Sequence, residues 1–176
     1  MATFEQVLCA VDFSPSSRGA MTFAAELARR YGARLTLLHA YEPPPAASGD
    51  MFVGPVEVFS ASVRAAERRL AGWRVDAERA ALSDVAAAVA IGRAADAIVR
   101  FAEEHRSDLI VVASMGRSAL RRLLDPSVAD EVLRKATCPV LVISRDAESA
   151  VRPTPLYPRR GLHLVDAAAH RTLPRR

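Results

Sequence analysis

The sequence predicts an α/β domain on a parallel, doubly wound sheet of five strands, and three observations predict it. Short apolar runs recur along the chain, such as Val7-Leu8-Cys9-Ala10-Val11 and Leu109-Ile110-Val111-Val112-Ala113, the pattern of strands buried on both faces. Segments with apolar residues at helical spacing alternate with these runs, which places helices on both sides of one sheet. The length, 176 residues, suits one domain of ordinary size.

The elements follow in order. The first strand, over 7–11, ends at Asp12-Phe13-Ser14-Pro15. Ser14 is an N-cap candidate, and Pro15 at the first helical position loses no hydrogen bond. Helical spacing of Met21, Ala24, Ala25, Leu27 and Ala28 carries the helix to Tyr31, and Gly32 stops it. The second strand spans 35–40. Strand, helix and strand within about 35 residues make a βαβ unit, so the two strands are parallel. Residues 42–55 hold four prolines and two glycines and read as a loop. A long helix follows over about 56–80, with Val63, Ala66, Leu70 and Trp73 on one stripe. The alanines of 84–91 favour helix by propensity, but the alternation of neighbouring elements calls for a third strand ending at Gly92. A helix over 94–105, a strand over 109–113, a helix over 127–136 and a last strand, Val140-Leu141-Val142-Ile143, complete the series.

Beyond Arg145 the periodicity ends. Residues 145–176 read as a poorly ordered Pro/Arg-rich extension to a domain over 1–144. That extension holds seven Arg against three acidic residues, the whole of the formal net charge of +4, so the domain itself is neutral. A neutral domain gives no ground for nucleic-acid binding. No segment reaches the roughly 20 apolar residues of a membrane helix, and the N-terminus lacks a signal-peptide pattern. The expected location is the cytoplasm. Cys9 and Cys138 are far apart and read as reduced thiols, and no metal-ligand cluster is visible.

In an open parallel sheet, ligands bind beyond the carboxyl ends of the strands where strand order reverses. The residues there are Asp12, Ala40-Tyr41 and Ser114-Met115-Gly116. His39, inside an apolar run, reads as a hydrogen-bonded core histidine. Four segments in register, Val11-Asp12-Phe13-Ser14, Leu37-Leu38-His39-Ala40, Ser107-Asp108-Leu109-Ile110-Val111-Val112 and Cys138-Pro139-Val140-Leu141-Val142-Ile143, resemble the universal stress protein family over about 3–144. The resemblance implies strand order 3-2-1-4-5, the adenine-nucleotide α-hydrolase-like fold, and a homodimer through strand five, Val140, Leu141, Val142 and Ile143. It implies nucleotide contacts from Asp12, Ala40, Ser114, Gly116, Arg117, Ser118, Ser127 and Val128. No cofactor is obligatory; the ligand it implies is ATP or AMP, with Mg where ATP binds.

Family members that bind ATP carry a loop G-x2-G-x9-G-(S/T). Here Gly116 and Ser127 match it, while Ala113 and Pro126 stand in place of glycines. Pro126 removes a donor and fixes φ. Asp125-Pro126-Ser127-Val128 reads as N-cap to N3 of the fourth helix, which sets the Asp125 carboxylate where a phosphate would sit. Arg117, Arg121 and Arg122 nearby are a source of positive charge or a solvated face. The expectation is weak ATP binding by a non-catalytic stress-response protein. Two alternatives stand beside it: a nucleotide α-phosphate hydrolase or transferase of the same fold, and an interaction module acting through the basic tail on a protein partner. The turn after the first strand lacks the glycines such an enzyme uses.

Overall fold

The computed structural model describes residues 4–43, 56–114 and 127–144. The extension over 145–176 and the segment with Arg117, Arg121 and Arg122 lie outside them. Five strands, β1 (Gln6–Ala10), β2 (Arg34–Tyr41), β3 (Val85–Ile91), β4 (Leu109–Ala113) and β5 (Val140–Ile143), form one parallel sheet in the order β3-β2-β1-β4-β5. The alanine-rich segment is thus a strand, paired along its length with β2. Tertiary pairing overrides the helix propensity of alanine there.

Four helices connect the strands: α1 (Pro15–Tyr31), α2 (Val56–Ala81), α3 (Ala94–Glu104) and α4 (Val128–Lys135). Ser14 caps α1, its side chain accepting from the Ser17 N–H, with Pro15 in the first turn. Gly32, at φ 68°, closes that helix with its N–H on the Ala28 carbonyl, a backbone shape that costs glycine least.

Alternation along each strand divides the core. Val7, Cys9, Leu35, Leu37, Leu109 and Val111 face α1 and α2, where they meet Met21, Leu70 and Trp73. Leu8, Leu38, Ile110 and Val112 face α3 and α4, where they meet Ile98, Ala129 and Val132. β1 lies between β2 and β4, so the chain winds outward from it in both directions. At the entrance to this seam the Asp108 Oδ2 accepts from the N–H groups of Glu5 (2.6 Å) and Gln6 (3.1 Å). No helix among the described residues is long and apolar enough to cross a membrane.

The fourth helix begins later than its sequence suggests. Its N-cap is Ser127 and not Asp125. The Ser127 hydroxyl accepts from the Asp130 N–H at 3.2 Å, and the Asp130 Oδ2 accepts from the Ser127 N–H at 3.3 Å and hydroxyl at 2.8 Å. This reciprocal capping box satisfies two donors of the first turn at once, an advantage that outweighs the proline signal at residue 126.

Candidate functional site

At the carboxyl ends of β1, β2 and β4, where strand order reverses, a cavity of about 120 Å³ opens to solvent. Its inner wall is apolar, made by Leu38, Ile98, Val112 and Ala129. Its polar groups come from the turn after β1 (Asp12 and Ser17), from His39 at the end of β2, and from Ser127 at the start of α4.

Asp12 is part of the turn before it is part of a site. Its Oδ1 accepts the Ser14 N–H at 2.9 Å and a short hydrogen bond from the Ser17 hydroxyl, while its own N–H donates to the Ser17 oxygen at 3.1 Å. Burial pushes the carboxyl up, but hydrogen bonds from Ser14 and Ser17 outweigh it and hold the group below its ordinary value. Hydrogen bonding of this kind favours the ionised form, so Asp12 presents a fixed negative charge. No hydrogen bond among the described residues uses its second oxygen.

His39 behaves as a satisfied core histidine and also lines the cavity. Its Nδ1–H donates to the Val11 carbonyl at 2.8 Å, and its ring packs on Phe13 with centroids 4.3 Å apart. The Ser127–Asp130 box occupies the N-terminus of α4, beside which Val128 and Ala129 complete the rim. Below that rim Glu131 is buried, its carboxylate held by Arg93 at 2.6 Å and Lys135 at 3.3 Å. Lys135 also reaches Asp96 at 2.5 Å, so α3 and α4 are joined by charge.

Of the eight nucleotide-contact residues that the resemblance implies, Asp12, Ala40, Ser127 and Val128 meet at this cavity. Ser114 lies outside its lining, its N–H donating to the Ile143 carbonyl at 2.8 Å. Gly116, Arg117 and Ser118, with Asp125 and Pro126, lie outside the described residues. The sequence reading missed Ser17, Ala94 and the apolar wall. Ser17 carried a signal: it stands three residues after the Ser14 cap, where a side chain turns back on the preceding loop. Among the described residues, no group of three or more His, Cys, Asp or Glu is placed to hold a metal ion.

Comparison with known proteins agrees with the fold. The family model described as the universal stress protein family matches residues 3–144. A curated universal stress protein of Thermus aquaticus is 35% identical over 143 residues, covering 80% of this chain and 98% of its own. A solved universal stress protein in complex with cAMP is 27% identical, with a TM-score of 0.58 over 81% of this chain and 98% of that one. The universal stress protein UspA of Lactobacillus plantarum is 25% identical, with a TM-score of 0.68 over 81% and 99%. The shared architecture is the adenine-nucleotide α-hydrolase-like fold.

Proposed function

The chain belongs to the universal stress protein family, and from that premise we propose a cytoplasmic, non-catalytic stress-response protein that binds an adenine mononucleotide in preference to ATP. The observation that carries the preference is the self-capped start of α4. A helix N-terminus beside a pocket is the natural seat of a phosphate, and here Asp130 already takes the N–H and hydroxyl of Ser127. A phosphate there meets the charge of the Asp130 carboxylate and that of Asp12 as well. Both costs rise with phosphate charge, so they bear harder on ATP than on cAMP or AMP. The apolar wall suits a flat base. That a similar protein was solved with cAMP supports a ligand of low charge.

The absence of a catalytic role is supported by how the polar groups are engaged. The Ser17 hydroxyl donates to Asp12 within the turn and the His39 Nδ1–H to a backbone carbonyl, and no hydrogen bond among the described residues joins Ser17 to His39 as a serine–histidine pair. Calorimetry with cAMP, AMP and ATP tests the proposal. The expected order places ATP last, with a Kd above roughly 10 μM. ATP binding tighter than cAMP overturns it. Asp130→Asn should narrow the gap by removing the charge while keeping a hydrogen-bonding side chain.

We propose also that two copies associate through β5. Its four residues, Val140 to Ile143, are only half-buried in the single chain and carry no charge, and an apolar edge strand invites pairing. Sedimentation at micromolar concentration should show a dimer that Val142→Lys dissociates. A wild-type monomer removes the idea.

A further inference from the structure

Phe13 has φ 63°, in the left-handed region. Bulky residues rarely adopt it, and they stay there only where the surroundings over-determine the conformation. Three groups do so here. The ring lies on His39 at 4.3 Å and meets the edge of Trp73 at 5.6 Å. From α2 the Arg69 guanidinium sits over the same ring, 4.5 Å from its centroid, and its Nη2 donates to the Phe13 carbonyl at 3.4 Å. Trp73 is in turn covered by Arg18 at 4.6 Å, which is paired with Asp76 at 2.9 Å. Neither Phe13 nor Arg69 lines the cavity, whereas Asp12, next to Phe13 in the chain, and His39, which Phe13 packs on, both do.

We propose that Phe13 and Arg69 are positioning residues for the cavity. Arg69 clamps the ring and carbonyl of Phe13 onto the His39–Trp73 platform, and residue 13, held left-handed, reverses the chain. Its side chain thereby enters the α1–α2 core while Asp12, one residue earlier, faces the cavity. The reversal also brings the Ser14 N–H and Ser17 hydroxyl onto the Asp12 carboxylate. An exposed arginine on α2, 56 residues along the chain, therefore tunes a pocket it does not touch. The ligand in this inference is the one proposed above, and the geometry of the turn is independent of it.

The test compares wild type with Phe13→Ala, Phe13→Tyr and Arg69→Ala in three measurements: cAMP affinity by calorimetry, the Asp12 carboxyl titration by NMR, and thermal unfolding without ligand. Phe13→Ala should weaken cAMP about tenfold and move the Asp12 titration up towards that of a free side chain. Arg69→Ala, an exposed position that leaves the core intact, should do the same about two- to fivefold. Phe13→Tyr keeps the ring and should stay within about twofold of wild type. The proposal is overturned if the Asp12 titration is unchanged in both alanine variants, even where affinity falls with thermal stability. A wild type that binds no cAMP, with the Asp12 titration still moving in the variants, sinks the nucleotide reading and leaves the positioning role standing.

Discussion

The two faces of the sheet balance apolar burial and charge differently. On the α1–α2 face the described core is the larger one, and it closes around aliphatic side chains and Trp73. On the α3–α4 face the core is smaller, and the helices are tied by a network of Arg93, Lys135 and Asp96 around the buried Glu131, whereas α1 and α2 are joined by the exposed Arg18–Asp76 pair. The cavity takes most of its apolar wall from the second face, through Leu38, Ile98, Val112 and Ala129. Apolar burial thus secures the platform, and charge sets the spacing of the wall that a ligand would meet.

The largest effect that separates the faces comes from a matched pair on β2. Leu37 and Leu38 are adjacent and fully buried, but they point to opposite faces. Each Leu→Ala change should fall within about 2–5 kcal/mol by urea unfolding, with Leu37→Ala nearer the top. Leu38 borders a space already open to water, so its loss enlarges a cavity and does not create a sealed void. Equal costs break the comparison. Next comes Glu131→Gln, which takes the carboxylate from Arg93 and leaves Lys135 with Asp96 alone, and should cost about 1–3 kcal/mol. That is less than the roughly 3–5 kcal/mol for breaking a fully buried pair, because both partners keep contact with solvent. Added salt should shrink this cost and leave that of Leu37→Ala unchanged.

Smaller effects appear with pH. Burial pushes the Cys9 thiol, on the α1–α2 face, up to about 12. The unfolded chain releases that proton first, so stability should fall as pH rises from about 8.5, the free thiol value, towards 12. Cys9→Ala should flatten that slope. Asp12 acts on the acid side. Its carboxyl is held low in the folded state, so the stability it contributes is present above the unfolded value of about 3.9 and lost as pH falls through the folded one. Asp12→Asn should remove this acid-side loss, as read by denaturant midpoints between neutral and acid pH. The smallest difference is kinetic. Cys138 packs against the α3–α4 core but is only half-buried, so a thiol reagent should label it before Cys9. Faster labelling of Cys9 would reverse the ranking of the two faces.

Much of this architecture was legible in the sequence because it rests on local patterns. The bounds of β4 and β5 fall where the apolar runs begin and end, and Ser14, Pro15 and Gly32 mark α1 by their own chemistry. The start of α4 was harder, since Asp125-Pro126 and Ser127-x-x-Asp130 are both sound N-terminal signals two residues apart. Only the pairing of Ser127 with Asp130 in space decides between them. Phe13 carried no warning, because its side chain is among those least expected at positive φ. The contacts that hold it come from Trp73 and Arg69 on another helix. The Arg93–Glu131 pair spans 38 residues, beyond the reach of any periodicity. Long-range contacts of this kind position the candidate site, whereas short-range ones lay out the fold.

The place of β1 at the middle of the sheet has a consequence for the order of assembly. β1, α1 and β2 lie close together in the chain, but the tie between Glu5 and Asp108 closes a loop of 103 residues. Joining that seam carries the greater entropic cost and comes late on the folding route. The cavity needs groups from both sides of the seam, Asp12 and His39 from one and Val112 and Ser127 from the other, so no half-assembled state contains it. A ligand of this cavity should therefore leave the refolding rate as it is and slow unfolding in proportion to its occupancy.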